Sequence, residues 1–159
     1  MTRAALTFLM MLGAPVAASE TAMDAFAAHC FSPFLTATRA AEVLPDRHDF
    51  YDLRPFRAAN PISPAQGRAV TPGTDRRCEV AFDGPAVEAG IAAIATALTR
   101  EGITRQVDVP EGFDLQHGTQ FAAARQLNPR RIAVVQVGTR PGPRGVETFM
   151  NVERLTPLP

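Results

Sequence analysis

Two cysteines, Cys30 and Cys78, are the strongest constraint on how this chain can fold, because a bond between them excludes any arrangement that keeps their segments apart. Whether they pair depends on the compartment, and the N-terminus speaks to that. Arg3 is the only charge before the uncharged stretch Ala4 to Val16, and Val16-Ala17-Ala18 offers the small residues a signal peptidase accepts. Residues 1–18 therefore read as a secretory signal peptide, with a mature chain starting at Ser19. The apolar stretch falls short of the roughly 20 residues that span a bilayer, so no stable membrane anchor is expected after cleavage. A periplasmic or secreted location follows, and in such an oxidising compartment Cys30 and Cys78 are expected to form a disulfide. Neither lies in a C-x-x-C arrangement, so the pair reads as structural and not as a redox centre.

Residues 19–159 are enough for one domain with a substantial core. Without Arg3, basic and acidic residues nearly balance, which gives no field for nucleic acid or an anionic membrane. Every basic residue is arginine, so Schiff-base lysine chemistry is excluded.

Met23, Phe26, Ala27 and Cys30 recur at helical spacing, which predicts a helix over Ser19 to Phe31 with the cysteine on its apolar face. Ser32 and Pro33 resemble the cap and first position of a second helix that Pro45 stops. From Pro45 to Gly73 proline and glycine recur without a sustained apolar period, which predicts a long irregular excursion. Within it, Asp46 to Phe56 has enough apolar content to pack on the body. Arg76 to Phe82 alternates as a half-buried strand, with Cys78, Val80 and Phe82 inward and Arg77, Glu79 and Ala81 outward. A helix follows from about Pro85 to Arg100, with Ile91, Ile94, Ala95 and Leu98 on its buried stripe and Gly102 as its cap. Ile103 to Val109 reads as a short strand. Thr119 to Leu127 is rich in alanine yet leads into the turn Asn128-Pro129-Arg130, and strand is preferred. Arg131 to Gly138 and Val146 to Leu155 read as a hairpin with its loop at Arg140 to Gly145. The expected class is α+β: strand, helix and strand, then a C-terminal meander, in an antiparallel sheet covered on one face by helices and tied by one disulfide.

The densest polar cluster is Asp46-Arg47-His48-Asp49-Phe50-Tyr51-Asp52. His48 beside Asp46, Asp49 or Asp52 offers acid-base or metal-ligating chemistry, although no H-x-x-x-H spacing supports a metal and a solvated turn explains the same residues. His29 and His117 are isolated. No serine sits in G-x-S-x-G, and no Walker loop or dinucleotide fingerprint is present, so no cofactor or metal is expected. Arg140 and Arg144 read as an exposed basic hairpin tip, with Arg130 and Arg131 at the other end of the strand, and protection of the sheet edge is the favoured explanation. The functional expectation is an exported, non-enzymatic binding or accessory module of the cell envelope, with an envelope protein or small ligand as partner. The alternative is a small periplasmic hydrolase or metal-binding protein using the Asp46 to Asp52 cluster.

Overall fold

Along residues 14–54 and 70–156, which this computed structural model describes, three helices and six strands occur. They are α1 (Ala14–His29), α2 (Ala37–Val43), β1 (His48–Asp52), β2 (Thr74–Asp83), α3 (Val87–Arg100), β3 (Gln106–Val107), β4 (Thr119–Asn128), β5 (Arg131–Gly142) and β6 (Gly145–Leu155). The strands form one antiparallel sheet in the order β1-β2-β6-β5-β4-β3, and the α+β expectation is met. The last four strands make the meander. β2 enters beside β6, so the Cys78 strand is second from the edge that β1 forms.

The three helices pack on one face. Phe26 and Cys30 from α1, Ala40 from α2, and Ile94, Ala97 and Leu98 from α3 meet Phe50, Cys78, Val80, Val135, Val137, Met150 and Val152 in a single apolar core. Cys30 and Cys78 are bonded, with Cα atoms 5.4 Å apart, so the end of α1 is fixed to β2. Gly90 lets α3 sit close to the strands, since a Cβ there would be 3.0 Å from Val137 Cγ1. Gly102 ends α3 with a positive φ of 69°. The helix α1 continues through the Ala18 to Ser19 junction, while residues 1–13 lie outside the described residues.

Several expectations need correction. The second helix is capped by Thr36, whose hydroxyl accepts from Arg39 N, and not by Ser32. Ser32 Oγ instead accepts from Phe34 N, a local turn that competes with helix. The excursion from Pro45 to Gly73 contains a strand: β1 is short but pairs in register with β2 from His48↔Val80 to Asp52↔Arg76. Five residues between turn signals carry too little period to be seen alone. Phe50 and Tyr51 of that stretch are buried, as its apolar content suggested, and residues 55–69 of the excursion lie outside the described residues. The strand of Ile103 to Val109 shrinks to the two residues of β3. In the hairpin, strands run up to Gly142↔Gly145, leaving a two-residue loop of Pro143 and Arg144. Finally, β2 is buried on both sides from Thr74 to Phe82 and not half-buried.

Candidate functional site

The helix-covered face is apolar until its last row, where the side chains become charged. Asp52, Arg76, Arg154 and Ala133 stand opposite one another across β1, β2, β6 and β5, one step beyond the apolar row of Phe50, Cys78, Val152 and Val135. The chain leaving α1 crosses over this charged row because Cys30 is bonded to Cys78 just behind it. Three carbonyls of this crossing, just beyond the end of α1, are taken up by arginines. Arg154 Nη2 donates to Phe31 O at 2.6 Å, Arg76 Nη2 to Ser32 O at 2.7 Å, and Arg54 Nη2 to Pro33 O at 3.2 Å. Positive charge here also complements the negative end of the α1 dipole.

An open cleft of about 410 Å³ lies beside this row. Phe31, Pro33, Arg54, Arg131 and Arg154 line it, together with Glu101 and Ile103 from just beyond the end of α3 and Leu127 and Asn128 from the end of β4. Its volume is within the range that holds a small molecule.

The arginines differ in their partners. Arg54 holds Asp52 in a two-pronged contact through Nε and Nη2, and Arg76 Nε is 3.8 Å from the same carboxylate. Arg131 Nη1 lies 2.5 Å from Asp75 Oδ2. Asp75 is the extra residue of a bulge where β2 and β6 slip register between Thr74 and Arg76, and such a bulge re-aims a side chain. Among the described residues no carboxylate lies within ion-pair distance of Arg154, although only 7% of its surface is exposed; Asp52 and Asp75 attract it from farther off.

The electrostatics follow from this arrangement. Burial raises the Asp52 carboxyl, but the hydrogen bond from Arg54 and the charge of Arg76 outweigh it, so its pKa is lowered. Asp75 goes up, because burial outweighs what Arg131 supplies. Burial and the neighbouring charge of Arg54 push Arg154 down to about 10. The fall to about 10 from the ordinary guanidinium value corresponds to roughly 3 kcal/mol of cost for keeping the guanidinium charged in the folded state. Since the folded pKa lies below the unfolded one, this cost is constant at neutral pH and fades only as pH rises through about 10. An anion bound in the cleft would offset it.

The Asp46 to Asp52 cluster is taken apart by the strand it forms. Asp46 is exposed in the turn before β1. His48 Nδ1 lies 2.7 Å from Pro45 O, a contact with backbone and not with a carboxylate. Asp49 points to the opposite face of the sheet, 3.2 Å from Arg77 Nε, and Asp52 joins the arginine row. His29 closes α1, and His117 is exposed. Among the described residues no group of three potential ligands for a metal ion is assembled.

The face away from the helices is also buried, and it carries an ionic ladder. Arg77 Nη1 donates to Glu153 Oε1 at 2.7 Å while Nη2 pairs with Glu79; Arg140 Nη1 meets Glu79 at 2.7 Å, and its Nε meets Glu147 at 2.5 Å. Arg47 then joins Glu147 at 2.9 Å to Asp83 at 2.7 Å. The hairpin-tip expectation is therefore corrected for Arg140, which is drawn inward and stacks its guanidinium 5.3 Å from the centre of the Phe149 ring. Arg144 stays exposed and pairs with Asp83.

Sequence reasoning singled out Arg131 only as a basic strand end and missed the cleft. Its residues come from five separate stretches, and the one local signal was charge at the ends of otherwise apolar alternating strands, as in Val152-Glu153-Arg154. No family model matches this chain, nor does any curated protein or solved structure.

Proposed function

We propose that this protein is an exported, non-enzymatic binding module, and that its ligand is an anion seated in the Arg154 cleft. One observation carries the reading: a buried guanidinium without a carboxylate partner among the described residues opens onto a cleft of small-molecule size. Buried charges are ordinarily paired, and one left unpaired is a functional candidate. The Cys30 to Cys78 bond supports export, since such bonds persist in oxidising compartments. Among the described residues no helix is long and apolar enough to cross a membrane. A hydrolase or metal site on Asp46, His48, Asp49 and Asp52 has less support, because the strand divides these residues between two faces and a turn.

Two measurements test the reading. Cell fractionation with mass spectrometry should find the chain beyond the inner membrane, beginning at Ser19 with its thiols oxidised; a reduced, uncut cytoplasmic form refutes export. Calorimetric titration of the purified protein with small anions at matched ionic strength should give saturable binding, and silence across carboxylates, phosphate and sulfate refutes the module.

A further inference from the structure

We infer that the cleft takes a small amphiphile bearing a single carboxylate, its head paired with Arg154 and its apolar body lying along Phe31, Ile103 and Leu127. This rests on the cleft being the binding site, and it adds the chemical class of the ligand.

The charge of the head group follows from which donors are already committed. Arg54 and Arg76 share Asp52, and Arg131 holds Asp75 at 2.5 Å. Arg154 alone among these arginines has no carboxylate within ion-pair distance among the described residues: its Nη2 donates to Phe31 O, and Asp52 and Asp75 attract it only from beyond contact. A planar guanidinium matches a carboxylate through two parallel N–H donors. A phosphate dianion would need further donors, and supplying them would strip Asp52 or Asp75 of arginines that hold them in a buried setting. Glu101 lines the same cleft with its carboxylate tied to Arg100 at 3.2 Å. Its negative charge in the lining disfavours a ligand with an acid at both ends.

The rest of the wall is apolar. Phe31, Pro33, Ile103 and Leu127 supply it, and Ile103 and Leu127 remain partly exposed there. A hydrocarbon chain attached to the carboxylate covers that surface, and each methylene buried adds roughly 0.8 kcal/mol, or about fourfold in affinity.

The experiment is calorimetric titration of the full chain with three probes, octanoate, octan-1-ol and inorganic phosphate, and with acetate as the chainless control. Octanoate is expected to bind at least about 30-fold more tightly than octan-1-ol, which has the chain without the charge. Arg154→Met should weaken octanoate by about 30-fold or more while shifting the melting midpoint by less than about 4 °C, because the cost of a buried charge leaves with the side chain and offsets the lost hydrogen bond to Phe31 O. Arg154→Lys, which keeps the charge and loses the fork, should weaken it about tenfold and serves if the methionine variant does not fold. Leu127→Ser should weaken octanoate about tenfold and leave acetate unaffected. Equal binding of octanoate and octan-1-ol, or undiminished octanoate binding by both Arg154 variants, overturns the assignment of the head to Arg154. Phosphate binding more tightly than octanoate overturns the amphiphile and keeps the anion cleft. Binding of none of the three probes, together with a large loss of stability in Arg154→Met, makes Arg154 a cap for Phe31 O and removes both readings.

Discussion

The two faces of the sheet are both buried, yet they are built on opposite principles. Under the helices, Phe26, Val80, Ile94, Val135 and Met150 exclude water by size and shape, an attraction without direction that tolerates small changes. On the other face, Arg77, Glu79, Glu153, Arg140 and Glu147 are held by ion pairs that depend on each partner being present. Burying charge is costly, and a pair removed as a unit is often replaceable, whereas half a pair is not. The polar face should therefore be the more brittle of the two. The Arg154 row sits where these principles meet, at the charged end of the apolar face, which is why a guanidinium there can lack a carboxylate without collapsing the core.

The brittleness is open to direct test. Arg77→Met takes one ion-pair partner from each of Glu153, Glu79 and Asp49 at once, and a loss of about 5 kcal/mol is expected in urea unfolding. A loss near 1 kcal/mol would remove the contrast between the faces. Replacing both Cys30 and Cys78 by alanine should cost about 4 kcal/mol, from the loop entropy returned to the unfolded chain across a separation of 48 residues. It should also loosen the Phe31 to Pro33 crossing that Arg54, Arg76 and Arg154 cap, seen as faster amide exchange there than in the Arg77 ladder.

Asp52→Asn leaves Arg54 and Arg76 without their shared carboxylate and should cost about 3 kcal/mol at pH 7. Because the folded pKa of Asp52 lies below its ordinary value, its stabilisation is present above about pH 4 and is lost as pH falls through the folded value. Asp75, raised by burial, works the other way and gains as acid protonates it. The wild-type stability curve below pH 4 should accordingly be steeper than that of Asp52→Asn; identical slopes would mean that Asp52 is not held down by its arginines. On the apolar face, Ile94→Val should cost only about 1 kcal/mol, a quantity that sharpens the comparison by setting its lower arm. Smallest of all, Arg39→Ala breaks the exposed pair with Glu42 and should stay within about 0.5 kcal/mol by the same unfolding measurement.

The legible parts of the fold are those whose order lies in neighbouring residues. The spacing of Phe26 and Cys30 foretold the buried face of α1, Ile94 and Leu98 that of α3, and the alternation of Cys78, Val80 and Phe82 the inward side of β2. Strand was rightly preferred for Thr119 to Leu127, where three alanines favoured helix, because pairing with β5 overrides local propensity. The β1 strand stayed hidden because its stability is supplied by β2, a partner more than twenty residues away. The charged side of β2 read as solvated, since alternation tells which residues share a face and not what covers it.

From the sequence alone came the class, the hairpin, the secure helices and the pairing of Cys30 with Cys78, all consequences of period, turn chemistry and a cysteine count. The tertiary structure alone decided that Asp49 and Asp52 part company, that Arg140 turns inward, and that Phe31, Ile103, Leu127, Arg131 and Arg154 share one cleft. Period and propensity act over a few bonds along the chain, whereas ion pairs and clefts are made by residues that meet only after strands have chosen their neighbours.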